Sequence, residues 1–330
     1  MKTEELITYF KVKDDLKGKT AKFNIADHEC KKGFFERKFG TNISCTQYCS
    51  VVTSNGSEDE KIDTFYSSSL QSLLFFSGVS EKNPLVYRDV TYTKVCFEWK
   101  NPVLQSPSCV DVVLIGKTKT GKTAILFIES KLFEIVRDSD KVGKCVVGST
   151  YFTGARGYKK LLKLEDKDFS ALGIDKDDQD GKKRSRITPI PDGGEKYVYS
   201  YGIKQLFSHV IGILNFIKTP ASVKELNQGI EQFPENVSDC EIAFLTLIND
   251  LPGFTAFDAR QKIEDFEEHY KKAIEVLKQK LVETRLKFVG NGGSGIATYQ
   301  DFYQEISKNV AGTPAYTLSS RIKEYYHLGE

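Results

Sequence analysis

The sequence predicts an α/β protein, because short apolar runs typical of β-strands occur along the same chain as clear helical patterns. Two strand-like runs, CVDVVLIG and TAILFIES, lie on either side of a Gly- and Lys-rich segment at 117–122. EIAFLTLIND, at 241–250, has the continuous apolar character and short length of a buried strand. YGIKQLFSHVIGILNFIK, at 201–218, carries its apolar residues at helical spacing.

Length and composition are those of an ordinary globular protein. The chain has 330 residues, enough for one elaborated domain or two modest ones, and 40% of them are apolar. Lys and Arg outnumber Asp and Glu by 47 to 45, so any site for a polyanion must be local. The seven cysteines, an odd number, fit reduced thiols better than a disulfide framework.

The sequence contains no obvious membrane or export signal. No apolar run approaches the roughly 20 residues that cross a bilayer. The opening segment, MKTEELITYFKVKDD, lacks the apolar core of a signal peptide. We therefore expect a cytoplasmic protein without a membrane partner.

Residues 1–60 alternate turn-rich stretches with short apolar pieces, and we expect an N-terminal extension or subdomain there. They hold one cysteine-histidine cluster, which consists of His28, Cys30, Cys45 and Cys49. A zinc site would use four such ligands, but His-x-Cys followed by Cys-x3-Cys matches none of the standard finger spacings. Buried or incidental thiols are the favoured interpretation, with zinc as the alternative.

Further elements follow in order along the chain. Serines before an apolar run of helical spacing predict a buried helix at 67–77. Residues 85–99, rich in Val, Tyr, Thr and Phe, predict one or two strands, with Glu98 near the end. Residues 166–196 are nearly all charged residues, Gly and Pro, which predicts a long exposed loop or a mobile insertion.

The later helices are amphipathic. In the helix that begins near residue 201, one broad face is apolar, while Tyr201, Gln205 and His209 follow the opposite edge, which is typical of a solvated edge. Residues 257–286 predict a long amphipathic helix, and 318–326 a shorter one. We therefore expect residues 256–330 to be a helical C-terminal elaboration.

Residues 116–123 match the phosphate-loop pattern G-x-x-x-x-G-K-[ST], and Asp250 ends a strand that resembles a Walker B strand. The pattern cradles phosphates only where a helix begins at the Lys-Thr pair. The next residues, TAILFIE, are instead typical of a strand. A hairpin turn is therefore favoured, and a P-loop nucleotide hydrolase is the alternative.

The predicted hairpin brings charged residues together. If 110–115 pair antiparallel with 125–130, a register that sets Ile115 opposite Ile125 also sets Asp111 opposite Glu129. Side chains alternate, so Glu129 and Lys131 leave one face of the strand. Opposed carboxylates repel unless a cation lies between them, and oxygen ligands suit Mg²⁺ or Mn²⁺. The alternative is that these residues form the solvated end of a strand.

Asp111, followed by a hairpin and then Glu129, Ser130 and Lys131, resembles the signature of the PD-(D/E)xK nuclease superfamily. Val110 stands where that family often has proline. The resemblance implies a restriction-endonuclease-like core, here at 61–255, with a mixed β-sheet flanked by helices. It also implies a divalent metal, Mg²⁺ or Mn²⁺, and hydrolysis of a phosphodiester.

The resemblance further implies roles for individual residues. Metal ligands would be Asp111, Glu129, Ser130 and Glu98. Lys131 would assist hydrolysis, and Gln205 would contact the substrate or orient Lys131.

We therefore expect a metal-dependent DNA endonuclease of restriction or defence type, with RNA as the alternative substrate, which could act as a homodimer. Phosphate contacts would come from a basic cluster that otherwise reads as a solvated helix face: Arg156, Lys159, Lys160 and Lys163. The alternative functions are a catalytically inactive nucleic-acid-binding or scaffold protein on the same fold, and a P-loop nucleotide hydrolase.

Overall fold

The computed structural model describes residues 2–17, 20–26, 30–53, 61–103, 107–136, 144–148, 157–169, 171–172, 174–176, 196–200, 202–227, 234, 237–308 and 314–329. These residues form ten β-strands: β1 Leu85–Tyr87, β2 Val90–Asn101, β3 Ser108–Thr118, β4 Thr123–Lys131, β5 Lys144–Gly148, β6 Ile174–Lys176, β7 Lys196–Ser200, β8 Glu241–Ile248, β9 Leu286–Phe288 and β10 Ile296–Thr298. They also form ten α-helices: α1 Lys2–Tyr9, α2 Lys31–Phe39, α3 Cys45–Thr53, α4 Ser68–Phe76, α5 Tyr158–Leu161, α6 Ile203–Lys218, α7 Pro220–Leu226, α8 Ala259–Lys280, α9 Tyr299–Ile306 and α10 Ser320–Tyr325.

Seven of these strands form one mixed sheet with helices packed against it, as expected for an α/β protein. Its order is β1-β2-β3-β4-β8-β10, and β9 pairs with β8 beside β10. The first four strands are antiparallel, whereas β8 runs parallel to β4 and to β10. Strands β5, β7 and β6 form a separate antiparallel sheet. Residues 124–128 of β4 and most of β8 are apolar, as strands covered on both faces require.

The predicted central hairpin is confirmed, with its register. Ile115 pairs with Ile125, and Val113 pairs with Phe127. The chain reverses through a tight turn in which Gly121 has a φ of +81° and Thr118 N donates to Lys122 O at 2.9 Å. Because β4 begins at Thr123, no helix follows the Gly-Lys-Thr sequence, and the context that a phosphate loop needs is missing.

Most predicted helices agree with the structure. Helix α4 starts after Ser67, whose hydroxyl accepts from Leu70 N, and α6 buries the predicted apolar face. The prediction for 257–286 was too long, because α8 ends at Lys280 and Leu286 begins β9. The C-terminal region is therefore helical as expected, but it also supplies two strands, β9 and β10, to the main sheet.

The N-terminal residues share the main hydrophobic core. Phe10 packs edge-on against Phe65, and its ring lies 5.1 Å from that of Tyr325. Of the predicted loop at 166–196, the described part contains a short 3₁₀ helix, Asp166–Asp168, and strand β6. Residues 177–195 lie outside the described residues. Within the described ranges, every helix is too short or too polar to cross a bilayer.

Helix α6 lies very close to the last residue of β2 and the first residue of β3, and Gly212 makes this approach possible. A Cβ atom at Gly212 would stand 2.7 Å from the Cβ atom of Asn101 and 3.5 Å from that of Ser108. The contact of 2.7 Å is shorter than any between real side chains, so a residue other than glycine would push the helix outward. The position of every side chain on this face of α6 depends on that contact.

We therefore expect Gly212→Ala to destabilise the protein by about 1–3 kcal/mol, because the added methyl group overpacks the interface between α6 and the sheet. The melting temperature and the midpoint of urea unfolding measure the effect.

Gly33→Ala in α2 is the matched control. A Cβ atom there would meet only Cys30 Sγ, at an ordinary 3.5 Å. Since alanine is the better helix former, this variant should gain about 0.5–1 kcal/mol. Equal effects of the two substitutions would contradict the close approach of α6.

Candidate active site

Acidic residues occupy one row across three neighbouring strands. Phe97 pairs with Val112 and Trp99 with Val110, so Glu98 on β2 lies across from Asp111 on β3. The ladder between β3 and β4 ends at Val112 and Ile128, and the next positions in that register are Asp111 and Glu129. The sequence predicted the second of these juxtapositions. It did not predict that Glu98 would extend the row to a third strand.

The backbone pairing between β3 and β4 stops at this row, and a side chain accepts the next hydrogen bond from β4. Ser130 N donates to Asp111 Oδ2 at 2.6 Å, which fixes this carboxylate against the end of β4. Glu98 has a φ of +51°, a left-handed conformation that residues other than glycine seldom adopt inside a strand. Its Oε2 accepts from Cys109 Sγ at 3.1 Å. Such strained residues occur preferentially at functional sites.

Glu129 is the most tightly held of the three acids. Lys131 Nζ donates to Glu129 Oε1, and both side chains are buried. On the other side, His209 Nε2 lies 2.8 Å from Glu129 Oε2. Neither of these two atoms has another hydrogen-bond partner among the described residues. Glu129 Oε2 therefore faces His209 alone, and a carboxylate oxygen has a second lone pair to offer.

The two neighbouring carboxylates have opposite electrostatic environments. Desolvation and the charges of Glu129 and Glu98 raise the pKa of Asp111 well above its ordinary value. Burial also raises the pKa of Glu129, but Lys131 and His209 outweigh it, so the pKa falls below its ordinary value. Glu129 is therefore ionised, and the positive charge of Lys131 compensates its negative charge. Asp111 is crowded by negative charge that a cation would neutralise.

These residues open onto one cavity of about 480 Å³. This volume lies within the range of about 300–1,000 Å³ that is usual for small-ligand sites. The residues that line it come from the segment before α4 and the first turn of α4, from β2 to β4 and the segment after β4, and from α6: Lys61, Thr64, Tyr66, Ser67, Ser68, Ser69, Glu98, Cys109, Asp111, Glu129, Lys131, Phe133, Glu134 and Gln205.

The donor atoms suit a hard divalent cation, although the site holds no ready-made cage. Among the described residues, no group of three His, Cys, Asp or Glu side chains is arranged to hold a metal ion. Mg²⁺ and Mn²⁺ commonly bind through one or two carboxylates and keep several waters. Asp111, with its raised pKa, and Glu129 Oε2, which has no hydrogen-bond partner other than the facing His209 among the described residues, fit that pattern.

The structure does not bring all predicted metal ligands and catalytic residues together. The hydroxyl of Ser130 lies 2.8 Å from Tyr299 OH, on the face of β4 away from the cavity, so the side chain is no ligand there. Gln205 is exposed and lies at the cavity lining. Glu98 reaches the cavity, but it does not complete a group of three ligands with Asp111 and Glu129.

The described members of the predicted basic cluster do not line the cavity. Lys159 pairs with Asp166 Oδ1 at 2.6 Å and lies over the ring of Phe169, and Lys163 approaches Glu283 at 3.8 Å. Lys160 is exposed on α5. Arg156 lies outside the described residues.

The cysteine-histidine cluster gives no described metal site. Cys30, Cys45 and Cys49 are free and exposed, so these three are not buried thiols, and the expectation of incidental thiols stays open. The Cys30 side chain instead accepts from Gly33 N at the start of α2. His28 lies outside the described residues, and no metal group occurs in the rest of the described chain.

Sequence reasoning missed His209. We expected a solvated edge of α6 there, but its side chain is 3% exposed and its Nδ1 lies 2.5 Å from Ser108 Oγ. The available signal was Gly212, because a glycine inside a helix often marks a close approach. His209 lies three residues earlier, on the same face.

Comparisons of the chain with protein-family models, with curated proteins and with solved structures find no match. The resemblance to the PD-(D/E)xK superfamily therefore stays a prediction that rests on the residues themselves.

Because Asp111 is crowded by negative charge, we expect Asp111→Asn to raise the melting temperature of the protein in EDTA at neutral pH. The amide oxygen can still accept from Ser130 N, so only the charge is lost. Thermal unfolding followed by circular dichroism measures the change. A lower melting temperature at neutral pH would contradict the electrostatic account.

The pH dependence should have a definite sign. Asp111 has a raised pKa in the folded protein, so its charge costs stability as pH rises above the unfolded value of about 3.9 and through the folded value. The gain from Asp111→Asn should therefore grow as pH rises above about 4 and level off above the folded pKa of Asp111. Glu129 has the opposite sign, because its lowered pKa gives stability that is lost as pH falls through its folded value of about 2. A gain that does not change as pH rises above about 4 would contradict the raised pKa of Asp111.

Proposed function

We propose that this protein is a metal-dependent nuclease that hydrolyses phosphodiester bonds, with DNA as the favoured substrate. The observation that supports the proposal is the row of Glu98, Asp111 and Glu129 beside Lys131, at the lining of one cavity. Burying acidic groups side by side is costly, and such arrangements occur mainly at functional sites. The resemblance to the PD-(D/E)xK signature supports the same reaction.

Each residue would have a distinct role. Asp111 and Glu129 would hold a Mg²⁺ or Mn²⁺ ion between two adjacent strands. When bound, the ion polarises the phosphoryl oxygen and makes water a better nucleophile. Lys131, which is oriented by Glu129 Oε1, would stabilise negative charge on the phosphoryl group or orient the attacking water. Gln205 would contact the substrate from α6, where it lines the cavity.

The site also contains the residue types of a nucleophilic triad, because Ser108, His209 and Glu129 lie in contact. Ser108 is 5% exposed and does not line the cavity, so a substrate cannot reach its hydroxyl. A serine nucleophile needs that access. The contacts therefore favour a supporting role for Ser108 and His209.

The remaining alternatives have less support. The Gly-Lys-Thr sequence lies in a hairpin turn, and Asp250 pairs with Arg260 at 2.9 Å, so a phosphate-binding loop with its acidic partner is disfavoured. A catalytically inactive nucleic-acid-binding or scaffold protein would have no need for crowded buried carboxylates.

Cleavage assays test the proposal. Purified protein with Mg²⁺ or Mn²⁺ should cut plasmid or single-stranded DNA, and EDTA should stop the reaction. Asp111→Asn should reduce cleavage to background because a metal ligand is lost. Lys131→Ala should lower the rate by about 10²–10³, the usual cost of removing one group that stabilises charge in the transition state.

Lys122→Ala is the matched control, because it removes an exposed lysine from the turn of the same hairpin. It should cut at the wild-type rate. Cleavage that survives Asp111→Asn, or that disappears in Lys122→Ala, would reject the proposed site. Nucleotide binding lost in Lys122→Ala would favour the P-loop alternative. Tight DNA binding without cleavage in either metal would favour the scaffold alternative.

A further inference from the structure

Two contacts bracket the Glu129 carboxylate, and a third holds the histidine that makes one of them. Lys131 Nζ donates to Oε1, His209 Nε2 lies 2.8 Å from Oε2, and His209 Nδ1 lies 2.5 Å from Ser108 Oγ. We infer that His209 is a positioning residue, held by Ser108, which fixes the Glu129 carboxylate for metal binding. The inference rests on the proposed role of Glu129 as a metal ligand.

The fold determines where the imidazole lies. Gly212 lets α6 approach the sheet closely, and His209 is one helical turn earlier on the same face. The ring lies 6.1 Å from that of Phe244 on β8, and its two nitrogens face β3 and β4. Helix α6 thus places one side chain, His209, in contact with both β3 and β4.

The hydrogen-bonding capacity of Glu129 and Ser108 indicates which ring nitrogen of His209 carries the proton. An ionised carboxylate can only accept, so the nitrogen that faces Glu129 carries the proton. In the neutral ring, Nδ1 is then an acceptor for the Ser108 hydroxyl. Ser108 therefore selects the tautomer that presents an N–H group to Glu129. All four side chains of this set are at least nine-tenths buried, which limits competition from water.

A fixed carboxylate is the functional consequence. Without His209, Glu129 would be held through Oε1 alone and could turn about its last bond, so binding a cation would cost additional rotational entropy. The contact of His209 with Oε2, at 2.8 Å, limits this rotation, and the second lone pair of that oxygen stays available for the cation. Groups that orient metal ligands in this way typically affect metal affinity by about 10–100-fold.

Two amide substitutions separate the roles of the two ring nitrogens. The amide nitrogen of Gln can reach the position of Nε2, and the shorter Asn can reach only the position of Nδ1. We expect His209→Gln to keep Mn²⁺ affinity within about threefold of wild type and His209→Asn to lose about tenfold or more. Electron paramagnetic resonance of free Mn²⁺ measures binding without nucleic acid or turnover.

Ser108→Ala provides a second test if either histidine variant fails to fold. It removes one hydroxyl, and it should weaken Mn²⁺ binding by severalfold because the tautomer is no longer selected. Melting temperatures in EDTA separate this effect from a loss of folded protein. Wild-type Mn²⁺ affinity in both His209→Asn and Ser108→Ala, or equal losses in the Asn and Gln variants, would overturn the inference.

Glu129→Gln distinguishes this inference from the proposed function. If wild-type protein binds Mn²⁺ and Glu129→Gln abolishes binding, the metal site stands, and the His209 variants alone decide the inference. If wild-type protein binds no Mn²⁺ that depends on Glu129, the proposed function and the inference both fail. Cleavage that needs Glu129 but ignores every change at His209 and Ser108 would reject the positioning role alone.

Discussion

The ion pair of Glu129 with Lys131, buried between β3, β4 and α6, is the interaction on which the rest of the site depends. A buried carboxylate needs compensation, and this pair supplies it while Asp111 and Glu98 remain close by. Lys131 leaves the same face of β4 as Glu129 because the two are separated by one residue. His209 completes the surroundings from the helix above. The pair therefore keeps one acid ionised and leaves its neighbour available for a cation.

This arrangement has an energetic cost that a purely structural role would not explain. Replacing a buried ion pair by apolar residues often stabilises a protein, and three acids in one row add repulsion. Glu98 adds a left-handed backbone conformation inside a strand. Apart from Asp168, the buried Asp, Glu, Lys and Arg side chains of the described residues are those of Glu98, Glu129 and Lys131, so the cost of burying charge is concentrated at one end of the hairpin. Such local conflict with stability is expected where a site must bind a charged ligand.

Much of the fold and part of the site followed from local sequence patterns. The hairpin register follows from the alternation of side chains along each strand and from the turn between the strands. The juxtaposition of Asp111 and Glu129 could therefore be predicted from the sequence. The helix of α4 followed from its serine cap and apolar spacing. Strands β9 and β10 were missed because they are three residues long and are stabilised by pairing with β8, a contact distant in sequence. The helix predicted at 257–286 was too long for the same reason, because its last residue, Leu286, begins β9.

The burial of His209 could not be predicted from helical periodicity. Its position lies at the polar edge of α6, and only the approach of the helix to the sheet at Gly212 brings it over Glu129. Glu98 was assigned to the site by resemblance, whereas its place across from Asp111 depends on the register between β2 and β3. The described members of the basic cluster, which was predicted from charge and spacing, do not line the cavity. A run of charges in the sequence carries no information on its distance from a site.

Diffraction from crystals soaked in Mn²⁺, recorded at the manganese absorption edge, tests the central claim most directly. The account predicts an anomalous peak in contact with the carboxylate oxygens of Asp111 and Glu129, and no such peak in crystals of Asp111→Asn. Manganese bound elsewhere in an active enzyme, or a peak that persists unchanged in Asp111→Asn, would contradict it.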